Sequence, residues 1–317
     1  MNPSNRKTKT APEIRIRDPF VVAHEDTYYM YGTIGETAGE RSLYAMESAD
    51  LIHWGEPVKI FTLPEDSWGE KELWAPEVHL YRGKFYLLVS VLGSHGKRGV
   101  QVAVSDHPLG DFRCIVNRPA TPMDKSCIDG TLYVENGVPY MVFSHDWPDN
   151  YLPAQDVYVG QICAVQLTED LTAPVGGDWV LFDSWDAPLS KDRPVRNTLP
   201  GKGRVLRYGT DGPFLEKLPD GRLLMLWSPI PQGNYIVASA VSESGSIRGP
   251  WTHHEEAVFD KNGGHAMLFR DFAGQLKICM HHPERYFHEH PMILDAEIRD
   301  GRVRITDERA LVHMNTN

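Results

Sequence analysis

The chain has 317 residues, 41% of them hydrophobic and 24% charged, and a net charge of -11. This composition suits a full apolar core and excludes a disordered chain. An acidic chain without a basic block argues against nucleic acid and anionic membranes, and no run reaches the ~18 apolar residues that span a bilayer.

Residues 1–12 read as a flexible N-terminal arm ahead of a single domain that fills the rest of 1–317. Met1 to Lys9 is polar and lacks the apolar stretch of a secretory signal, which predicts a cytoplasmic protein. The four cysteines, Cys114, Cys127, Cys163 and Cys279, form no C-x-x-C pair and read as reduced thiols.

The first repeated element opens at Arg17-Asp18-Pro19-Phe20-Val21-Val22, turns at Glu25-Asp26-Thr27 and returns as Tyr28-Tyr29-Met30-Tyr31. The same unit recurs from Ala75-Pro76-Glu77, Asp129-Gly130-Thr131, Asp211-Gly212-Pro213 and His265-Ala266-Met267. Polar turns such as Arg82-Gly83-Lys84, Asn136-Gly137 and Pro219-Asp220-Gly221 divide each unit into a hairpin. Apolar runs this continuous predict strands covered on both faces. A more polar pair follows each hairpin, at 42–46 and 52–54, 100–104 and 109–112, 160–165 and 178–182, 236–241 and 249–251, and 292–296 and 303–305. Four strands recurring about every 55 residues predict an all-β, five-bladed β-propeller of four-stranded antiparallel blades. An insert at 185–208, carrying Arg193, Arg196, Arg204 and Arg207, reads either as a solvated loop or as a wall of the site.

Aligned on Pro19, Pro76, Gly130, Gly212 and Ala266, the preceding position holds Asp18, Ala75, Asp129, Asp211 and His265. In a propeller these residues ring one mouth of the channel. A lone Asp before Pro or Gly is a turn residue, but three at one repeat position point to chemistry. Ring order places Asp129 beside Asp211 and Asp18 across the channel. A close carboxyl pair raises one pKa and makes a general acid, and a more distant carboxylate leaves room for water. Inverting glycoside hydrolysis needs such a set, with acid and base roughly 6.5–9.5 Å apart. Phe20, Trp74 and Trp147 could stack on a sugar, with Arg17 and Glu77 as polar partners, while Trp54, Trp179 and Trp251 read as structural. The histidines at 281–282 and 288–290 lack zinc spacing and read as pocket-edge or surface residues.

The Arg-Asp-Pro opening, Trp74-Ala75-Pro76-Glu77, Ile128-Asp129-Gly130-Thr131, Thr210-Asp211-Gly212-Pro213 and Gly264-His265 together resemble glycoside hydrolase family 43, over roughly residues 14–300. The resemblance implies a five-bladed catalytic propeller whose inverting enzymes trim arabinan, xylan or galactan. Asp18 matches the general base. Asp129 matches the carboxylate that tunes the acid and orients substrate. His265 matches a channel-centre histidine that in many members sits beside calcium or another cation; no cofactor is required. The family's acid is Glu in Glu-Gly-Pro, and Asp211 departs from it by one methylene. Three outcomes stand open: Asp211 is the acid, another carboxylate such as Glu77 replaces it, or hydrolysis is lost. The expected activity is exo removal of a terminal sugar, α-L-arabinofuranose by the family's precedent, from a small oligosaccharide. A β-xyloside, β-galactoside or galactofuranoside is the alternative substrate. A non-catalytic sugar binder and a phosphorolytic enzyme are the rival classes.

Overall fold

Each of the five repeated units folds into one four-stranded sheet, with antiparallel neighbours throughout. The computed structural model describes residues 8–34 and 41–307. Sheet one runs in the order β1 (Arg17–His24), β2 (Thr27–Thr33), β3 (Ser42–Ser48), β4 (Val58–Thr62). Sheet two follows as β5 (Gly69–Tyr81), β6 (Lys84–Gly93), β7 (Arg98–Ser105), β8 (Arg113–Cys114). Sheet three opens with β9 (Cys127–Glu135) and β10 (Val138–His145). The chain then leaves it for β11 (Tyr151–Leu152) and β12 (Val157–Val159), and returns as β13 (Gln161–Leu167) and β14 (Pro174–Asp183). It leaves again for β15 (Val195–Leu199) and β16 (Gly203–Tyr208). Sheet four is β17 (Thr210–Lys217), β18 (Leu223–Pro229), β19 (Ala238–Ser242), β20 (Trp251–His253). Sheet five is β21 (Gly264–Arg270), β22 (Leu276–His282), β23 (His290–Arg299), β24 (Arg302–Ile305).

Local chemistry explains the hairpins. Asn136 and Gly137 take φ of 51° and 83°, and Arg82 and Gly83 take 49° and 79°. Two consecutive left-handed residues make the primed turn whose twist matches the strands on either side. Burial follows the expected gradient: every residue of β18 is buried, whereas β14 at the edge of sheet three has none. Each fully buried Leu, Ile or Met on the inner hairpins contributes about 1.5–3 kcal/mol.

The first strands touch in the order β1, β5, β9, β17, β21 and back to β1. A polar latch sits at each junction, supplied by the second strand of one sheet to the first strand of the next. Ala75 N–H donates to Thr33 Oγ1 (3.0 Å), Asp129 N–H to Ser90 Oγ (2.8 Å) and His265 N–H to Ser228 Oγ (2.8 Å). Ser144 Oγ donates to the Thr210 carbonyl (2.6 Å), and Asp18 N–H donates to His281 Nδ1 (3.1 Å), which ties the last sheet to the first. These pairs satisfy strand groups that the ladders leave open.

Three expectations need correction. The fourth strand of sheet one lies at 58–62 rather than 52–54, because Asp50 accepts from the N–H groups of Ile52 and His53 and holds that stretch in a bend. Trp54 is buried there and pairs by backbone with Lys9. β8 follows the expected 109–112 segment instead of occupying it, since Phe112 N–H donates across to the Ile60 carbonyl of sheet one. The insert is no solvated loop: β15 and β16 join β11 and β12 in a sixth sheet, ordered β11-β12-β16-β15 with β12 and β16 parallel. Of the expected N-terminal arm, residues 1–7 lie outside the described residues. All four cysteines are unpaired, with Cys127, Cys163 and Cys279 buried. No described helix is long and apolar enough to cross a membrane.

Candidate active site

Register explains how the strands aim their polar groups. In every first strand two residues bulge out of the ladder: 18–19, 75–76, 129–130, 212–213 and 265–266. The leading residue of each bulge is left-handed, with φ of 52° at Asp18, 44° at Ala75, 54° at Asp129, 52° at Gly212 and 54° at His265. A bulge turns the strand and re-aims a side chain, which is why it recurs at active sites. The equivalent positions therefore hold Asp, Ala, Asp, Gly and His. The sequence alignment was one residue out in the fourth unit. Asp211 is the ladder residue before the bulge, opposite Ser228, in the place of Arg17, Trp74, Ile128 and Gly264. Gly212 is required where it stands: a Cβ would come within 2.8 Å of His265 Cγ.

Arg17, Asp18, Trp74, Ile128, Asp129, Asp211, His265 and Tyr286 line one cavity of about 260 Å³. The three expected catalytic carboxyls thus converge, with Arg17, Trp74 and His265 beside them. Three other expected residues do not reach the cavity wall. Phe20 is buried against His79 and Phe214, at ring separations of 5.1 and 6.3 Å. Glu77 is buried and its Oε2 pairs with His79 Nε2 at 2.7 Å. Trp147 packs edge-on to Tyr158 and under Arg207, in the accessory sheet's neighbourhood. Trp74 carries the Arg98 guanidinium on one face, 3.2 Å from the ring centroid, while Arg98 also pairs with Glu72. Tyr286 was not singled out from the sequence, because nothing local marks a loop aromatic as pocket-facing.

The carboxyls sit in different fields. Burial alone would raise Asp18, but His265, with Nδ1 at 3.1 Å, and Arg17, with Nε at 4.0 Å, outweigh it and hold the carboxyl well below the usual range. Arg17 is anchored in turn by Glu289 (2.9 Å) and Glu284 (3.1 Å). His281 is fully buried; its Nδ1 accepts from Asp18 N–H, so its proton lies on Nε2, 2.7 Å from Glu284 Oε2. Burial pushes Asp211 up to about 7, helped by the charge of Asp129 and opposed by His265 and Arg207. Asp129 rises to about 6 by burial and by Asp18, against the pull of His265 and a 3.1 Å bond from Gly212 N–H. His265 rises to about 10: burial opposes its charge, but Asp18 and Asp129 favour it more strongly. Asp146 is a further carboxyl at this end, raised to about 7 by burial and by Asp211.

Among the described residues, no group of three His, Cys, Asp or Glu side chains is arranged to hold a metal ion. His265 faces Asp18 as an ion-pair partner and does not fit a side-chain-built cation centre.

An ionised carboxylate, a protonated carboxyl and a tuning carboxylate around one pocket fit acid–base cleavage of a glycoside. A family model described as "Glycosyl hydrolases family 43" matches residues 12–303. The chain belongs to this family. Of the positions that the motifs singled out, 18, 129, 211 and 265 all line the cavity, with Asp211 one residue ahead of the bulge position that the other three occupy. Among solved structures, it is similar to the endo-arabinase from Bacteroides thetaiotaomicron VPI-5482, at 34% identity and a TM-score of 0.80, covering 93% of this chain and 99% of the other. A thermostable family-43 glycoside hydrolase shares the fold at 23% identity and a TM-score of 0.78, covering 96% and 95%. The extracellular endo-alpha-(1->5)-L-arabinanase 1 of Bacillus subtilis (strain 168) is 27% identical over 143 residues, which are 42% of this chain and 44% of that protein. The xylosidase/arabinosidase 43A of Humicola insolens is 33% identical over 110 residues, 33% of this chain and 32% of that protein. These matches span less than half the length of the curated relatives.

Proposed function

We propose that this family-43 chain is an inverting hydrolase of α-L-arabinofuranosides on a five-bladed propeller, in which the five repeated sheets are the blades. Asp18, ionised beside His265 and Arg17, takes a proton from a water as that water's oxygen bonds to the anomeric carbon. The bond from that carbon to the leaving oxygen breaks, and Asp211 gives its proton to that oxygen. Asp129 keeps the proton on Asp211 by like charge and accepts hydrogen bonds from sugar hydroxyls. The observation that carries this reading is the split between Asp18, held ionised, and Asp211, held protonated up to about 7 in the same cavity. Glu77 is disfavoured as the acid because it is buried and occupied by His79.

Exo action is the first reading, because the carboxyls line a bounded cavity of about 260 Å³. Endo action is the second reading, favoured by the likeness to the endo-arabinase. Linear α-1,5-arabinan separates them: arabinose as the sole early product supports exo cleavage, and a ladder of oligosaccharides supports endo cleavage. Nitrophenyl glycosides test the sugar. Asp18→Ala should abolish turnover of every substrate, and proton NMR of the first product should show the anomeric configuration inverted. Retention of configuration would sink the mechanism. Asp211→Asn should spare good leaving groups and lose natural ones; intact turnover of arabinan would move the acid elsewhere.

A further inference from the structure

Acid–base cleavage leaves Arg207 unexplained. It lies near the end of β16, opposite Val195 and Tyr158, four residues before Asp211. Its Cζ lies 4.8 Å from the centroid of the Trp147 ring. Its Nη1 occupies the space over Gly209, where a Cβ would come within 2.5 Å. Nε and Nη1 are buried and have no hydrogen-bond partner among the described residues, while the arginine as a whole is half-buried. A buried guanidinium normally pairs its donors with carboxylates or carbonyls, and leaving them unpaired costs free energy. Here aromatic stacking and a glycine hold the fork with its open end free. Beyond it, Trp147 stands edge-on to Tyr158 at 6.2 Å, and Tyr158 lies 4.8 Å from Tyr151, which is exposed. The aromatic run therefore leads outward from the arginine toward solvent. Flat apolar faces beside a fixed polar donor are what a sugar ring requires.

We propose that Arg207, fixed on Trp147 by the accessory sheet, is the hydrogen-bond donor of a subsite for the sugar on the leaving side of the cleaved bond. The side follows from Asp211: the acid must touch the leaving oxygen, and the accessory sheet delivers Arg207 to the acid's end of the site. The ligand is a neutral sugar whose hydroxyl and ring oxygens accept from the guanidinium, with its ring face against the half-buried Trp147, which the buried Tyr158 backs from within the fold. Arginine is needed because a lysine ammonium neither stacks flat nor presents a fork. This inference rests on Asp211 as the acid, and that assignment is tested separately by Asp211→Asn turnover.

The test is calorimetric binding at pH 5, where Asp211 is protonated, in an inactive Asp18→Asn background. The probe is α-1,5-arabinotriose or β-1,4-xylotriose, whichever the wild-type enzyme cleaves, with the matching monosaccharide as control. Arg207→Met should weaken trisaccharide binding roughly 10- to 100-fold and leave monosaccharide binding unchanged. Arg207→Lys should weaken the trisaccharide nearly as much, yet keep the wild-type pH profile in the active background. Unchanged trisaccharide affinity in both variants overturns the subsite, as does full rescue by lysine, which would make Arg207 a countercharge only. Cleavage of neither trisaccharide by the wild type overturns this inference together with the arabinoside reading.

Discussion

At the scale of single residues, the site works by setting equivalent chemical groups in unequal fields. Asp18, Asp129 and Asp211 share one functional group, and in the proposed mechanism only their neighbours separate a base from an acid. Activity should fall as pH rises through about 7, where Asp211 loses its proton. Arg207→Met removes a positive charge that favours the ionised Asp211 carboxylate, so that limb should move to higher pH. Profiles of kcat/KM against pH check this, and a shift to lower pH would refute this charge arrangement. Stability follows with the same sign. The folded pKa of Asp211 is raised, so its contribution is fully present below the unfolded value and lost as pH rises through about 7. Asp211→Asn should therefore raise Tm by a few degrees at pH 8 and hardly at pH 4, while removing activity on natural substrates. A Tm that is unchanged at pH 8 would show that the folded protein does not strain this carboxyl.

At the scale of elements, the bulge is the unit of design. One left-handed residue per first strand breaks the ladder and turns a side chain to the cavity, at a cost of order 1–3 kcal/mol wherever that residue is not glycine. Sequence repeats made the five strands legible, because apolar runs and Asn-Gly or Asp-Gly turns report local backbone preference. They misplaced the fourth position by one, because Asp-Gly-Pro and Asp-Pro align equally well on letters and differ only in φ. The accessory sheet was also hidden: β12 and β16 pair in parallel across about 45 residues, and no local pattern encodes a partner so far along the chain. Phe20 and Glu77 were read as pocket residues because strand alternation does not reveal which residues lie beyond a bulge. Gly212→Ala tests the element directly. The added methyl would press on the His265 ring, and a shift of about 1 Å in a catalytic group can cost ~100-fold in rate. We expect kcat to fall by about that factor with KM little changed, and the His265 imidazole NMR signal to move; an unperturbed kcat would show that His265 has slack.

At the scale of the whole molecule, the latches make neighbouring sheets depend on one another. Ser90→Ala would strand the buried Asp129 N–H, and Ser228→Ala that of His265, each at about 1–3 kcal/mol. Urea unfolding should show that loss as a single shifted transition; two separate transitions would mean the sheets unfold independently. The junction between the last sheet and the first differs from the others. There the partner is the imidazole of His281 instead of a hydroxyl, and the charge of His265 in the same sheet, with that of Arg17, holds the Asp18 carboxyl well below its usual range. In the proposed mechanism the base thus comes from residue 18, while His265, toward the opposite end of the chain, is the first of the charges that keep it ionised. A chain still emerging from the ribosome, or one clipped before β21, would hold all three carboxyls and yet lack the His265 charge that the proposed mechanism needs to keep Asp18 ionised. On the proposed mechanism, catalytic competence becomes a completeness check: turnover should begin only once the final strands have docked against the first, so activity recovered during refolding should time the closing step itself.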